Sequence, residues 1–146
     1  MINFFSEGIN FKLKNKIACK KWILSTLEEE GIFKNRKFEE LSFIFCSDEY
    51  LLDMNKKYLS HDYYTDVISF DNSEEKTFSG DIFISVDMVE NNAKTYNQRF
   101  VDEVHRVMIH GVLHLSGYND ATNSEQEIMR SKEDYYLAKR DFDDNR

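Results

Sequence analysis

Apolar positions fall in short blocks whose spacing switches between every second residue and every third or fourth, the signature of a mixed α and β chain. Residues 2–5 form a short apolar stretch suited to a strand, closed by the turn Gly8-Ile9-Asn10. From about 15 to 30, Ile17, Trp22, Leu24 and Leu27, with Ala18 and Ile23, lie near helical spacing, and Gly31 supplies a stop. Glu28-Glu29-Glu30 sit at the helix end where the dipole disfavours anions, which marks them as solvated or partner-facing. Residues 41–46 are aromatic and β-branched and read as a strand, and Ser47 or Asp48 caps a helix running to about Tyr58. Residues 67–70 and 81–85 read as two more strands around a polar loop or hairpin turn, 72–80. Helical patterns then cover 86–97, 100–116 and 123–139, with Gly117 as a stop and Thr122-Asn123-Ser124-Glu125 as a capping box opening the last. The sum is one α+β domain over residues 1–140, a four-stranded mixed sheet packed by about five helices, with a charged tail, 141–146, expected to fray.

Composition supports a folded chain: 41% of the 146 residues are hydrophobic and 14% aromatic, ample for a core. No run reaches the roughly 18 to 20 apolar residues of a membrane span, and the N-terminus lacks a basic start followed by a long apolar stretch. The expectation is a cytoplasmic protein with no membrane partner. Cys19 and Cys46 lie far apart in apolar contexts and match no metal or disulfide framework, so both read as buried free thiols.

The formal net charge of −8 disfavours a protein whose whole surface coats nucleic acid. The charge is uneven, however. Residues 1–57 hold ten basic and nine acidic side chains, whereas residues 58–146 hold nine basic and eighteen acidic. A polyanion would meet the first half, where Lys12, Lys14, Lys16, Lys20 and Lys21, with Lys56 and Lys57, are the candidate contacts.

Three of the four histidines lie at 105, 110 and 114. His110 and His114 are four apart, which on a helix sets both imidazoles on one face, a turn apart, able to grip one metal ion. An isolated pair of this kind is as often plain helix surface. Here Gly117 can end the helix with positive φ and let the chain return Asp120 to the same face as a third ligand. Three protein ligands leave a coordination position open, the mark of a catalytic rather than a structural site. His105 falls off that face, because five residues turn a helix by about 500°, and reads as a supporting or structural residue.

The run His110-Gly111-Val112-Leu113-His114-Leu115-Ser116-Gly117-Tyr118-Asn119-Asp120 resembles the metal signature of the YbeY family, His-Gly-x-Leu-His-Leu-x-Gly-Tyr-Asp-His. Upstream, Asn55, Tyr58, Asp62, Thr65, Asp66, Val67, Ile68, Ser69 and Phe70 follow that family's second block, and Gly80-Asp81-Ile82 its next strand. The resemblance covers nearly the whole chain. It implies a single-strand-specific, metal-dependent endoribonuclease that matures the 3′ end of 16S ribosomal RNA and serves ribosome quality control. The implied partners are ribosomal RNA, the small subunit and a ribosomal or GTPase assembly protein. His110 and His114 transfer directly as ligands of one divalent ion, with zinc the first choice, while the family's third histidine falls on Asp120, a harder ligand. The family's arginine after Tyr58 is Leu59 here, and His61, two residues on, is the nearest replacement cation or proton donor.

The same histidine pair occurs in zincin-like hydrolases, whose scaffold the chain is expected to share. Zinc proteases place a glutamate beside the first histidine as general base, and this chain has Gly111 there, which disfavours peptide hydrolysis. No general base is assigned from sequence. Two other readings stand beside the nuclease: a metal-dependent hydrolase of another substrate, and a ribosome-assembly factor with weakened catalysis, which Leu59 favours.

Overall fold

Strand β1 (Ile2–Glu7) leads through α1 (Lys16–Glu29) and a short 3-10 turn (Ile32–Lys34) to β2 (Lys37–Cys46) in the computed structural model, which describes residues 1–142. Then follow α2 (Asp48–Leu59), β3 (Val67–Asp71), β4 (Thr77–Ser85), α3 (Val86–Thr95), α4 (Phe100–Leu115) and α5 (Asn123–Ala138). The sheet order is β1-β2-β4-β3, with β1, β2 and β4 parallel and β3 antiparallel at one edge. The mixed sheet and the five helices are those the sequence pattern predicts. No helix among the described residues is long and apolar enough to cross a membrane.

Helix α4 is the centre of the molecule. Val104, His105, Val107, Met108, Ile109, Val112, Leu113 and Leu115 are all buried along it, because β3 and β4 cover one side while α1, α3 and α5 cover others. Gly111 permits that approach: a Cβ there would stand 2.7 Å from Ile82 Cγ2 and 3.2 Å from Ser69 Oγ. Gly80 on β4 does the same for Leu115, with a Cβ 2.7 Å from its Cδ1 and 3.0 Å from the Phe70 carbonyl.

Two strands begin earlier than the apolar runs alone indicate. In β2 the first residues, Lys37, Glu39 and Glu40, are exposed and a register shift between Phe38 and Glu40 interrupts the alternation, so the pattern reads as loop. In β4 the added residues are Thr77, Phe78, Ser79 and Gly80, of which the last three are buried although two of them are small and polar or bare. The buried face of α1 also differs from the one expected: Cys19, Trp22, Ile23, Thr26 and Leu27 face the core, while Ile17 is 73% exposed. Trp22 donates its indole N–H to the Tyr136 carbonyl on α5 at 2.8 Å.

Both cysteines are buried, and neither forms a disulfide among the described residues. His105 is fully buried beside Cys19, Trp22 and Phe142, and accepts from Arg140 through Nδ1 at 2.7 Å, the structural place expected for it. The expected frayed tail begins differently, since Phe142 packs edge-on against both Trp22 and His105. Residues 143–146 lie outside the described residues.

Candidate metal centre

Helix α4 delivers His110 and His114 one turn apart, and its end delivers Asp120. The helix closes with Gly117 N–H on the His114 carbonyl at 3.1 Å and Tyr118 N–H on the Leu113 carbonyl at 3.0 Å. Gly117 has φ 109°, a conformation that L side chains rarely adopt, so the reversal depends on glycine. The chain then turns back and sets Asp120 Oδ2 at 3.3 Å from both His110 Nε2 and His114 Nε2, which are 3.0 Å from each other. Donor atoms about 2.0–2.1 Å from a common zinc ion stand roughly 3.3 Å apart in a tetrahedron, so the triangle has the size of one face of such a site.

The other ring nitrogens decide what that triangle is. His110 Nδ1 lies 2.6 Å from Glu133 Oε2, and His114 Nδ1 lies 2.9 Å from the Tyr118 carbonyl. Both partners are acceptors, so each Nδ1 carries the proton and each Nε2 turns a lone pair toward the other and toward a carboxylate. Three converging acceptors fit a cation, and the His-His-Asp donor set suits a divalent metal.

Glu133 was not singled out in the sequence, yet it holds the site together. It lies on α5, is 5% exposed, and accepts from Arg106 Nη1 at 2.9 Å as well as facing His110. Arg106 also donates to Asp134 at 2.7 Å. Burial raises the Glu133 carboxyl, but the hydrogen bonds from His110 and Arg106 outweigh it and leave the group below its ordinary range. Burial likewise opposes charge on His110, and Glu133 reverses that, holding His110 above its ordinary value. A carboxylate in this position orients the ring and makes it a more basic ligand. A signal existed: Met129, Glu133 and Tyr136 form the buried stripe of α5, and a charge inside such a stripe needs a partner.

The carbonyl that holds His114 is supported in turn. Tyr118 donates its hydroxyl to Glu30 at 2.7 Å, and Tyr136 and Lys132 donate to the same carboxylate. Glu30, read from sequence as solvated or partner-facing, is instead a half-buried acceptor tying the end of α1 to α5 and to the loop that follows α4. Burial raises its carboxyl, but Tyr136, Tyr118 and Lys132 together bring it below 4.5.

The triad opens onto two clefts. One, about 600 Å³, is lined by Asn55, Leu59, His61, Tyr63, Thr65, Asp66, Ser69 and the His110, His114 and Asp120 triad. The other, about 1100 Å³, runs between α3, α4 and α5 past Asn92, Arg106, Gln126 and Arg130. His61 is thus beside the triad, and Leu59 lies on the same rim, 41% exposed. None of the seven candidate lysines lines either cleft. Lys12 and Lys16 border a separate hollow near β1, Lys14, Lys20 and Lys21 are exposed on or before α1, and Lys57 is exposed beside the Tyr58 ring. Lys56 pairs with Asp62 at 3.4 Å. Asp66 faces both clefts; burial pushes its carboxyl up, and His110 partly offsets this.

The close packing at Gly111 also bears on chemistry. The tight contact of Gly111 with Ile82 leaves no space for the glutamate that zinc proteases carry there, so that route lacks both residue and room.

Comparison with known proteins agrees with the motif. The sequence model of the family described as endoribonuclease YbeY matches residues 2–141. Similar curated proteins include endoribonuclease YbeY of Cytophaga hutchinsonii, 49% identical over 97% of this chain and 96% of that one. The Karelsulcia muelleri endoribonuclease YbeY is 48% identical over 94% of each chain. Among solved structures, a solution structure of a Thermotoga maritima protein aligns with a TM-score of 0.59 at 29% identity, covering 94% of this chain and 87% of that one.

Proposed function

The chain belongs to the endoribonuclease YbeY family, and from that premise we propose that it is a metal-dependent hydrolase that cuts single-stranded RNA internally, with His110, His114 and Asp120 as the metal ligands. The single observation behind the reading is the triangle of three acceptor atoms, 3.0 to 3.3 Å apart, at the wall of an open cleft. A divalent ion held there, with zinc the first choice, supplies Lewis-acid charge and a more acidic water. The chain's own residues do the rest. Glu133 and the Tyr118 carbonyl fix both imidazoles in the tautomer that presents Nε2, and Asp120 supplies a negative charge. Phosphodiester cleavage draws mostly on positioning and charge stabilisation, which suits a site with no glutamate beside its first histidine.

In the same reading the substrate is the 3′ end of 16S ribosomal RNA, met on the small subunit in the cytoplasm, with a ribosomal or GTPase assembly protein supplying part of the specificity. Leu59 favours a second reading, an assembly factor with weakened cleavage, because an alkyl chain cannot stabilise phosphorane charge as a guanidinium does. Elemental analysis of the purified protein, paired with cleavage of ribosomal RNA by wild type and His114→Ala, separates the two. Bound metal with cleavage lost in the variant is the expected result. Metal without cleavage by either protein would overturn the nuclease reading.

A further inference from the structure

The segment joining α2 to β3 is anchored in the core yet presents rings to solvent. Ser60 ends α2 in the left-handed region, with φ 57°. Asn55, 2% exposed, then holds both sides of the loop: its carbonyl accepts from His61 N–H at 3.1 Å and its Nδ2 donates to the Tyr63 carbonyl at 2.9 Å. Lys56 pairs with Asp62, and Tyr64 donates to Glu49 at 2.7 Å. On this frame the rings of His61 and Tyr63 lie stacked, 5.0 Å between centroids and 19° between planes, with Nδ1 and the hydroxyl 2.9 Å apart.

Both rings line the cleft that holds His110, His114 and Asp120. Both are nonetheless exposed, Tyr63 at 55%, so the pair contributes little to the core. A loop backbone held by the buried Asn55, with two stacked rings left exposed beside a candidate reactive centre, is an arrangement on which an unpaired base can stack. Stacking needs no positive charge. That matters here, because the cleft is rimmed by Asp66, Asp71 and Asp120 and the lysines stand outside it.

Resting on the endoribonuclease reading, we propose that the His61–Tyr63 pair is a stacking platform for one unpaired nucleobase of the RNA strand in the cleft, and that it sets the preference for single strands. A base within a duplex has both faces covered by its neighbours and cannot use such a platform.

The test uses the full chain and a single-stranded oligoribonucleotide with 2′-O-methyl sugars, compared with its duplex at one fixed salt concentration. Tyr63→Ala should weaken single-strand binding about tenfold, within the range of one base–aromatic stack, and leave duplex binding unchanged. Tyr63→Trp should bind at least as tightly as wild type, which separates loss of the ring from loss of the fold. A single abasic residue at the stacked position should weaken binding to wild type but not to Tyr63→Ala. The platform is overturned if Tyr63→Ala binds like wild type, if it loses single strand and duplex alike, or if wild type shows no preference for single strands. Cleavage of natural-backbone RNA by metal-loaded wild type is measured alongside. Its absence removes the endoribonuclease reading, whereas intact cleavage with unchanged binding by Tyr63→Ala removes the platform alone.

Discussion

Replacing Glu133 by glutamine changes one atom and one charge behind His110, and the structure says what that should do. The carboxylate lies 2.6 Å from His110 Nδ1 and 2.9 Å from Arg106 Nη1 at 5% exposure. Glutamine keeps a carbonyl oxygen for one of these donors but removes the charge that makes the imidazole basic. Losing such a carboxylate behind a metal-bound histidine typically costs about 10- to 100-fold in affinity, or roughly 1.4 to 2.7 kcal/mol. The fold should survive, because Arg106 retains Asp134 at 2.7 Å. The assay is zinc competition against a chelator of known affinity, run on apo protein whose helicity matches wild type. Asp134→Asn is the control: it also touches Arg106, but its side chain is 60% exposed and it does not reach His110, so affinity should hold. Unchanged zinc binding by Glu133→Gln, or an equal loss in Asp134→Asn, would refute the idea that Glu133 acts through His110.

Glu30 makes a prediction about acid. Its folded carboxyl titrates below 4.5, so its contribution is complete above that value and is lost as pH falls through the folded value; urea unfolding should show a gap between wild type and Glu30→Gln near neutrality that closes in acid, and a gap that widens in acid would contradict this. Gly111→Ala gains helix propensity of up to about 1 kcal/mol but forces a Cβ to 2.7 Å from Ile82 Cγ2. Overpacking of this kind costs about 1 to 3 kcal/mol, so a lower thermal midpoint is expected, and a raised one would show that the helix–sheet contact yields freely. Asp120→His restores the third imidazole of the family signature and should shift metal preference from manganese toward zinc in a competition titration, whereas an unaltered preference would remove Asp120 from the ligand set.

The motif was the most legible part of the sequence because its spacing is helical arithmetic: residues 110 and 114 share a face wherever a helix forms, and Gly117 marks where it ends. Asp120 could be reached by the same reasoning, and the structure sets it 3.3 Å from both rings. The supports were harder to see. Glu133 and Glu30 meet the site only through tertiary packing, from 23 residues downstream of His110 and 88 upstream of Tyr118, and no local period records that. Glu30 was misplaced for a definite reason: a carboxylate at a helix C-terminus is unfavourable alone, but two tyrosine hydroxyls and a lysine satisfy it here. The early starts of β2 and β4 were hidden because exposed polar residues in one, and small buried ones in the other, break the two-residue alternation.

The chain has one tryptophan, Trp22, which is 5% exposed and whose indole N–H rests on the carbonyl of Tyr136 on α5, three residues beyond Glu133.

 That places a natural fluorophore on the helix that carries the histidine's support. When α5 is seated, the ring is dry and its N–H is engaged; when α5 lifts, the ring meets water and its emission moves to the red. Light from Trp22 is therefore a gauge of whether Glu133 is in place behind His110, readable without a label and in the presence or absence of metal. Constant emission on metal removal means a site assembled in advance by the fold, and a red shift means one that the ion itself helps to close.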